Sequence, residues 1–212
     1  MDIKTCPYCN AQYTLFAHSK TGKHRTLFEF DHFFPKSRYP YLSVSLFNLI
    51  PSCASCNRGK SSLPTTIQAN YHPYVSSFHK LAEFKLMYPS TIDKQSFAQL
   101  LKMNYDKDLE LHIIKRQTLS PDEEAMASNH IRDFHLEAIY DRHKDIAYRI
   151  LLLARMNDKH YQEAISGIEG LFNDRATVLR YMLGNELSEI EINKRPLNKL
   201  TVDLARQLGL IT

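Results

Sequence analysis

The stretch EFDHFFPKSRYPYLSVSLFNLIPSCASCNRGKSS, residues 29–62, decides how this chain is read. It holds an Asp-His pair, one Asn inside an apolar run, and a second Asn directly after a Cys-x-x-Cys. No sustained helical period runs through it. Residues 26–33 alternate as a strand does, with Leu27, Glu29 and Asp31 on one side. Residues 33–45 carry Pro35 and Pro40 among Ser and Tyr, which reads as a loop. Residues 46–51 read as a short second strand or turn, and 55–61 as the start of a short helix. Strand, loop, strand and helix make a ββα unit.

All four cysteines lie in the first 56 residues, as Cys6-Pro7-Tyr8-Cys9 and Cys53-Ala54-Ser55-Cys56. Two Cys-x-x-Cys turns supply four thiolates, the donor set of a tetrahedral structural Zn²⁺. The opening residues MDIKTCPYCN lack the apolar core of a signal peptide, so a cytoplasmic location is expected, where disulfides rarely persist. A thioredoxin-like redox pair would need a single Cys-x-x-Cys. With sulfur in all four positions, the zinc has no open place for catalysis. It is expected to tie together the two ends of a loop-rich module.

The remaining composition is that of a soluble globular protein: 212 residues, 43% hydrophobic and 24% charged. No run of about 18 apolar residues occurs, so no membrane span is expected. The net charge of +4 is unevenly placed. Residues 1–62 hold eight basic and three acidic side chains, whereas 63–212 hold 19 and 20. A basic local field favours polyanions, although a solvated basic surface looks the same.

The expected fold class is α+β: a zinc-stapled ββα module over residues 1–63, then a mainly helical region over 64–212. Segments 84–88 and 109–116 read as a strand pair. Ser120-Pro121-Asp122-Glu123-Glu124 is a helix start, with a Ser cap, Pro at the first position and acids in the first turn. Apolar spacing predicts helix over 134–156 and again over 161–172, 174–183 and 196–208, with Gly184 and Gly209 as stops.

Several residues of the decisive stretch suit chemistry. An Asp31 carboxylate is a hard ligand for Mg²⁺. A neutral His32 can take a proton from water near neutral pH. Phosphodiester hydrolysis uses a metal and a base together. The position of Asn57 is fixed by Cys56, and its amide oxygen could complete a Mg²⁺ shell; a plain helix cap is the alternative. Asn48, polar within Leu-Phe-Asn-Leu-Ile, must find partners if buried. Its amide could bridge backbone groups and hold the loop after His32. Lys36, Arg58 and Lys60 are candidates to meet phosphates.

Taken in order, Phe30-Asp31-His32-Phe33-Phe34-Pro35-Lys36-Ser37, Asn48-Leu49-Ile50-Pro51 and Cys53-Ala54-Ser55-Cys56-Asn57-Arg58-Gly59-Lys60 resemble the HNH, or ββα-metal, endonuclease family. The resemblance covers about residues 5–62. It implies His32 as general base, Asn48 as the loop-ordering Asn, and Asp31 and Asn57 sharing one divalent ion. Asn57 in the last position makes this an H-N-N variant, as in the HNH domains of CRISPR effector nucleases. An amide suits transition metals less than imidazole does, so Mg²⁺ or Mn²⁺ is the expected ion. The implied substrate is DNA. The layout more loosely resembles HNH subunits of Septu or retron-associated bacterial defence systems, which implies an ATPase partner and a role in anti-phage defence. Two other readings use the same residues: a non-catalytic zinc-stapled binding module, and an RNA-cleaving toxin. The dispersed His18, His24, His130, His135, His143 and His160 read as packing or solvated side chains.

Overall fold

A computed structural model describes residues 4–18, 20, 22, 24–157 and 175–211. The helix expected over 161–172 lies outside the described residues. The chain is a mixture of α and β with small sheets. The strands are β1 (Phe16–His18), β2 (His24–Thr26), β3 (Glu29–His32), β4 (Leu49–Ser52), β5 (Ala82–Met87) and β6 (Glu110–Lys115). They pair as β1-β2, β3-β4 and β5-β6, each a two-stranded sheet. The helices are α1 (Ala54–Lys60), α2 (Phe78–Leu81), α3 (Phe97–Leu100), α4 (Tyr105–Asp108), α5 (Pro121–Asp133), α6 (Leu136–Asp141), α7 (Lys144–Met156), α8 (Arg175–Leu183) and α9 (Asn198–Gln207). Among the described residues, no helix is long and apolar enough to cross a membrane.

The chain divides into two compact units, and the change of character near residue 63 is not where they part. One unit comprises Met1–Glu83, Ile113–Leu136 and Asn193–Leu197; the other comprises Phe84–His112, Glu137–Ile192 and Asn198–Thr212. A two-stranded sheet buries too little alone, so each sheet needs helices and loops from elsewhere in the sequence.

In the first unit, β3, β4 and α1 form the expected strand, strand, helix order, with residues 33–48 as the connection. The surrounding core is aromatic. Tyr8 stacks on Phe134 with ring centroids 4.3 Å apart, and His130 packs against Tyr71 and Phe78. Helix α5 starts at Ser120 with a capping box: the Ser120 hydroxyl accepts from the Glu123 N–H, and the Glu123 carboxylate accepts from the Ser120 N–H. Asn193 accepts hydrogen bonds at its carbonyl from the Lys4 N–H and the Thr5 hydroxyl, so a late segment closes onto the chain's beginning.

In the second unit, α9 packs on α7 and Phe84 meets Tyr140 with ring centroids 4.1 Å apart. Asp203 accepts from the Phe84 N–H at 2.9 Å. One helical turn on, Gln207 both accepts from the Leu86 N–H at 2.8 Å and donates to the Leu86 carbonyl at 2.7 Å. Four residues rise about 6 Å along a helix and two rise about 6.6 Å along a strand, so the two spacings match. Helix α9 thereby satisfies backbone groups of β5 that no strand partner takes. Gly209, at φ 73°, ends α9: its N–H donates to Arg206 and the Leu210 N–H to Ala205, both at their carbonyls. That left-handed position suits glycine. The single helix expected over 134–156 is two helices, broken at Arg142 and His143.

Candidate functional site

The four cysteines come together in the first unit. All are buried, their sulfurs lie within 4.8 Å of one another, and Cys9 and Cys53 approach to 3.9 Å. A tetrahedron with Zn–S bonds of about 2.3 Å has sulfurs about 3.8 Å apart, so the quartet fits zinc in donor type, number and spacing. Both knuckles are built for it. In the first, Asn10 takes a left-handed φ of 53°, its N–H donates to the Cys6 carbonyl, and the Ala11 N–H donates to the Cys9 sulfur. In the second, Cys53 is the extended residue before α1 and Cys56 lies in the first turn. Hydrogen bonds from the other thiols, Cys56 foremost, drive Cys53 toward thiolate, while bonding to Cys53 pushes Cys9 and Cys56 the other way. Four sulfurs this close cannot all ionise unless a cation compensates them.

Strands β3 and β4 run antiparallel, with Glu29 opposite Ser52, Asp31 opposite Ile50 and His32 opposite Leu49. Alternation sends Glu29 and Asp31 to one face, and α1 lies on that face. Asn57 and Lys60, three apart, share the facing side of α1. The pairs then form in order. The Asn57 amide donates to Glu29 Oε2 at 2.8 Å, and the Lys60 ammonium to Asp31 Oδ1 at 3.0 Å.

Asp31 is thus fully engaged. It is 2% exposed, its second oxygen accepts from the Tyr8 hydroxyl at 2.6 Å, and Lys60 also donates to the His32 carbonyl at 2.7 Å. Burial, and next the Asp31 charge, raise the Tyr8 phenol well above its ordinary range, so it stays a donor. Burial lowers Lys60, and the Asp31 charge opposes that. The expectation that Asp31 and Asn57 share one ion is therefore not met by this arrangement: helical spacing pairs Asn57 with Glu29 instead. Lys60 is also not available to a phosphate, because its ammonium is buried against Asp31. Arg58 and Lys36 are exposed. The Arg58 guanidinium rests on Glu29 Oε1 at 3.0 Å. The Asn57 amide, and next Arg58, hold the Glu29 carboxyl below its usual range.

His32 lies on the opposite side of β3 from Asp31. Its Nε2 is 3.0 Å from the Ser43 carbonyl. A carbonyl only accepts, so Nε2 carries the hydrogen, and in the neutral ring the lone pair is then on Nδ1. The loop presenting Ser43 is clamped by Asn48, which is buried. Asn48 Oδ1 accepts from the Phe34 N–H at 2.7 Å, and its Nδ2 donates to the Phe34 and Leu42 carbonyls, each at 3.1 Å. This is the backbone bridging its place in an apolar run suggests.

Sequence reasoning passed over Glu29 and Tyr8. The signal for Glu29 was the strand alternation that puts it beside Asp31. Tyr8 had only its place between Cys6 and Cys9, which the closed quartet brings to Asp31. His135, at φ 49°, lies between α5 and α6 rather than within a helix. Among the described residues, the cysteine quartet is the one group of three or more His, Cys, Asp or Glu side chains placed to hold a metal.

No protein-family profile matches the chain, and no solved structure matches it. Among curated proteins it is similar to protein ea31 of Escherichia phage lambda, 32% identical over 73 residues. That match covers 33% of this chain and spans about a fifth (21%) of the phage protein's length.

Proposed function

We propose that the chain is a metal-dependent endonuclease of the HNH type that hydrolyses DNA, with His32 as general base. The observation that carries this reading is the clamped His32: its Nε2–H is donated to the Ser43 carbonyl of a loop that Asn48 holds. A general base needs a fixed ring and a free lone pair, and this arrangement supplies both at Nδ1. Zinc on Cys6, Cys9, Cys53 and Cys56 would tie the start of α1, and with it Asn57, to the first knuckle.

A Mg²⁺ or Mn²⁺ ion suits the Glu29 and Asn57 position better than the Asp31 position. Glu29 is partly exposed and ionised, and Asn57 offers a neutral amide oxygen once its side chain turns over. Opposite Glu29, buried Ser52 has a hydroxyl without a hydrogen-bond partner. Magnesium is usually held by one or two protein carboxylates plus waters. Bound there, it would supply charge stabilisation at the phosphate. Asp31 and Lys60 act as the strut that seats β3 on α1. Arg58 and Lys36 are left to meet the phosphate backbone. By its layout, the same reading includes an ATPase partner and a role in anti-phage defence.

The deciding experiment is plasmid cleavage by zinc-loaded protein with and without Mg²⁺ or Mn²⁺, beside His32→Ala and an RNA substrate. Metal-dependent DNA cleavage lost in His32→Ala is expected. RNA cleavage instead would indicate a toxin, and no cleavage of either, by a folded zinc-loaded protein, a binding module. Glu29→Gln should raise the Mn²⁺ concentration needed for paramagnetic binding signals to saturate, and this readout does not depend on turnover.

A further inference from the structure

Tyr41, Val44, Leu46 and Phe47, on the connection between β3 and β4, are 75%, 84%, 80% and 79% exposed. Apolar side chains scattered singly on a surface need no explanation, but a cluster this exposed does. The segment is well ordered by its own bonds. Residues Pro40–Leu42 and Leu46–Asn48 are 3₁₀ turns, and the Ser43 hydroxyl donates to the Pro40 carbonyl at 2.7 Å. Phe34, Tyr39 and Tyr41 pack edge to face in sequence, carrying order from the interior to the tip. The turn that contains Phe47 finishes at Asn48, and the Ser43 carbonyl holds His32.

Its electrostatics select a partner. Between Asp31 and Glu83 the sequence contains no acidic residue, while Lys36 and Arg38, earlier on the same connection, stand exposed. Apolar side chains at the tip of a rigid loop with a cationic flank suit a nucleic acid whose bases are parted: Leu and Phe insert between base steps, Tyr and Phe stack on bases, and Lys and Arg take the phosphates. We propose that residues 41–47 are a wedge that enters the base stack and holds an unstacked step beside His32. The preferred substrate is then DNA that is bent, bubbled or readily opened. The role of His32 in this rests on the nuclease reading; the insertion itself does not.

The test uses zinc-loaded full-length protein without added Mg²⁺ or Mn²⁺ and a duplex oligonucleotide carrying 2-aminopurine, whose fluorescence rises when it unstacks. The protein should raise the fluorescence. The Leu46→Ser/Phe47→Ser double variant, with its zinc content and melting temperature unchanged, should bind through its basic residues without that rise. With Mg²⁺ added, the double variant should lose about tenfold more cleavage on fully paired duplex than on a preformed bubble, the worth of one stacking contact. No rise with the parent protein, or an equal rise with the double variant, overturns the wedge. So does a double variant that keeps the rise but loses self-association or capture of a protein partner. A rise without any cleavage upholds the wedge and defeats the nuclease; His32-dependent cleavage without a rise does the reverse.

Discussion

At the residue scale, Asp31 and Lys60 form a buried ion pair with a direct bearing on stability. Each is almost wholly buried, at 2% and 3% exposure, and each satisfies the other. Removing one member of a buried pair strands a charge and costs about 3–5 kcal/mol. Lys60→Ala should therefore lower denaturant stability by about that amount. Asp31→Asn/Lys60→Met, which removes both charges, should recover much of the loss, and a double-mutant cycle measures the coupling. If Lys60→Ala melts as the parent does, the pair is not the strut described. Asp31-His32 stood out in the sequence as a candidate pair. Which carboxylate faces Asn57 was not legible there, because that depends on how α1 lies across β3. Strand alternation narrows the choice to Glu29 or Asp31, and the three-residue step between Asn57 and Lys60 then settles both pairings together.

At the scale of elements, the cysteine quartet and α5 hold the module from two sides. Cys56→Ser should release the zinc and unfold the ββα unit, because the binding energy of a structural zinc is folding energy. Metal content and far-ultraviolet circular dichroism read both. The His130 Nε2–H on α5 donates to the Tyr8 carbonyl at 2.8 Å, and burial holds the imidazole down to about 3. An ordinary histidine titrates near 6.5, so the unfolded chain takes up this proton first. The stability it lends is complete above about pH 6.5 and is lost as the pH falls toward 3, at about 1.4 kcal/mol per unit. His130→Gln should be less stable than the parent at pH 7, and that gap should shrink on acidification, as denaturant midpoints across pH would show. The capping box at Ser120, the strand pair β5-β6 and the glycine stop at Gly209 were legible because their signals are local. The break at Arg142 and His143 was not: the apolar spacing continues through it.

At the scale of the whole molecule, compact units draw on segments that composition does not group. Basic, cysteine-rich sequence ends near residue 62, yet the unit it belongs to also takes in Ile113–Leu136 and Asn193–Leu197. A hydrophobic core is assembled by contact, and composition along the chain cannot reveal which distant segments supply it. A fragment of residues 1–63 lacks His130 and Phe134, the ring partners of Tyr8, and the Asn193 carbonyl that receives Lys4 and Thr5. Such a fragment should bind zinc yet fail to give a cooperative thermal transition, whereas the full chain should give one.

The same closure sets a schedule for synthesis. The Asn10 carbonyl accepts from the Leu197 N–H at 2.6 Å, so the first knuckle gains this support only once residue 197 has left the ribosome. A nascent chain stalled before residue 197 would carry Asp31, His32, Asn48 and Asn57 without that support. Under the nuclease reading proposed above, activity would ripen only after residue 197 is made, and the growing chain would spare the nucleic acids around the ribosome that makes it.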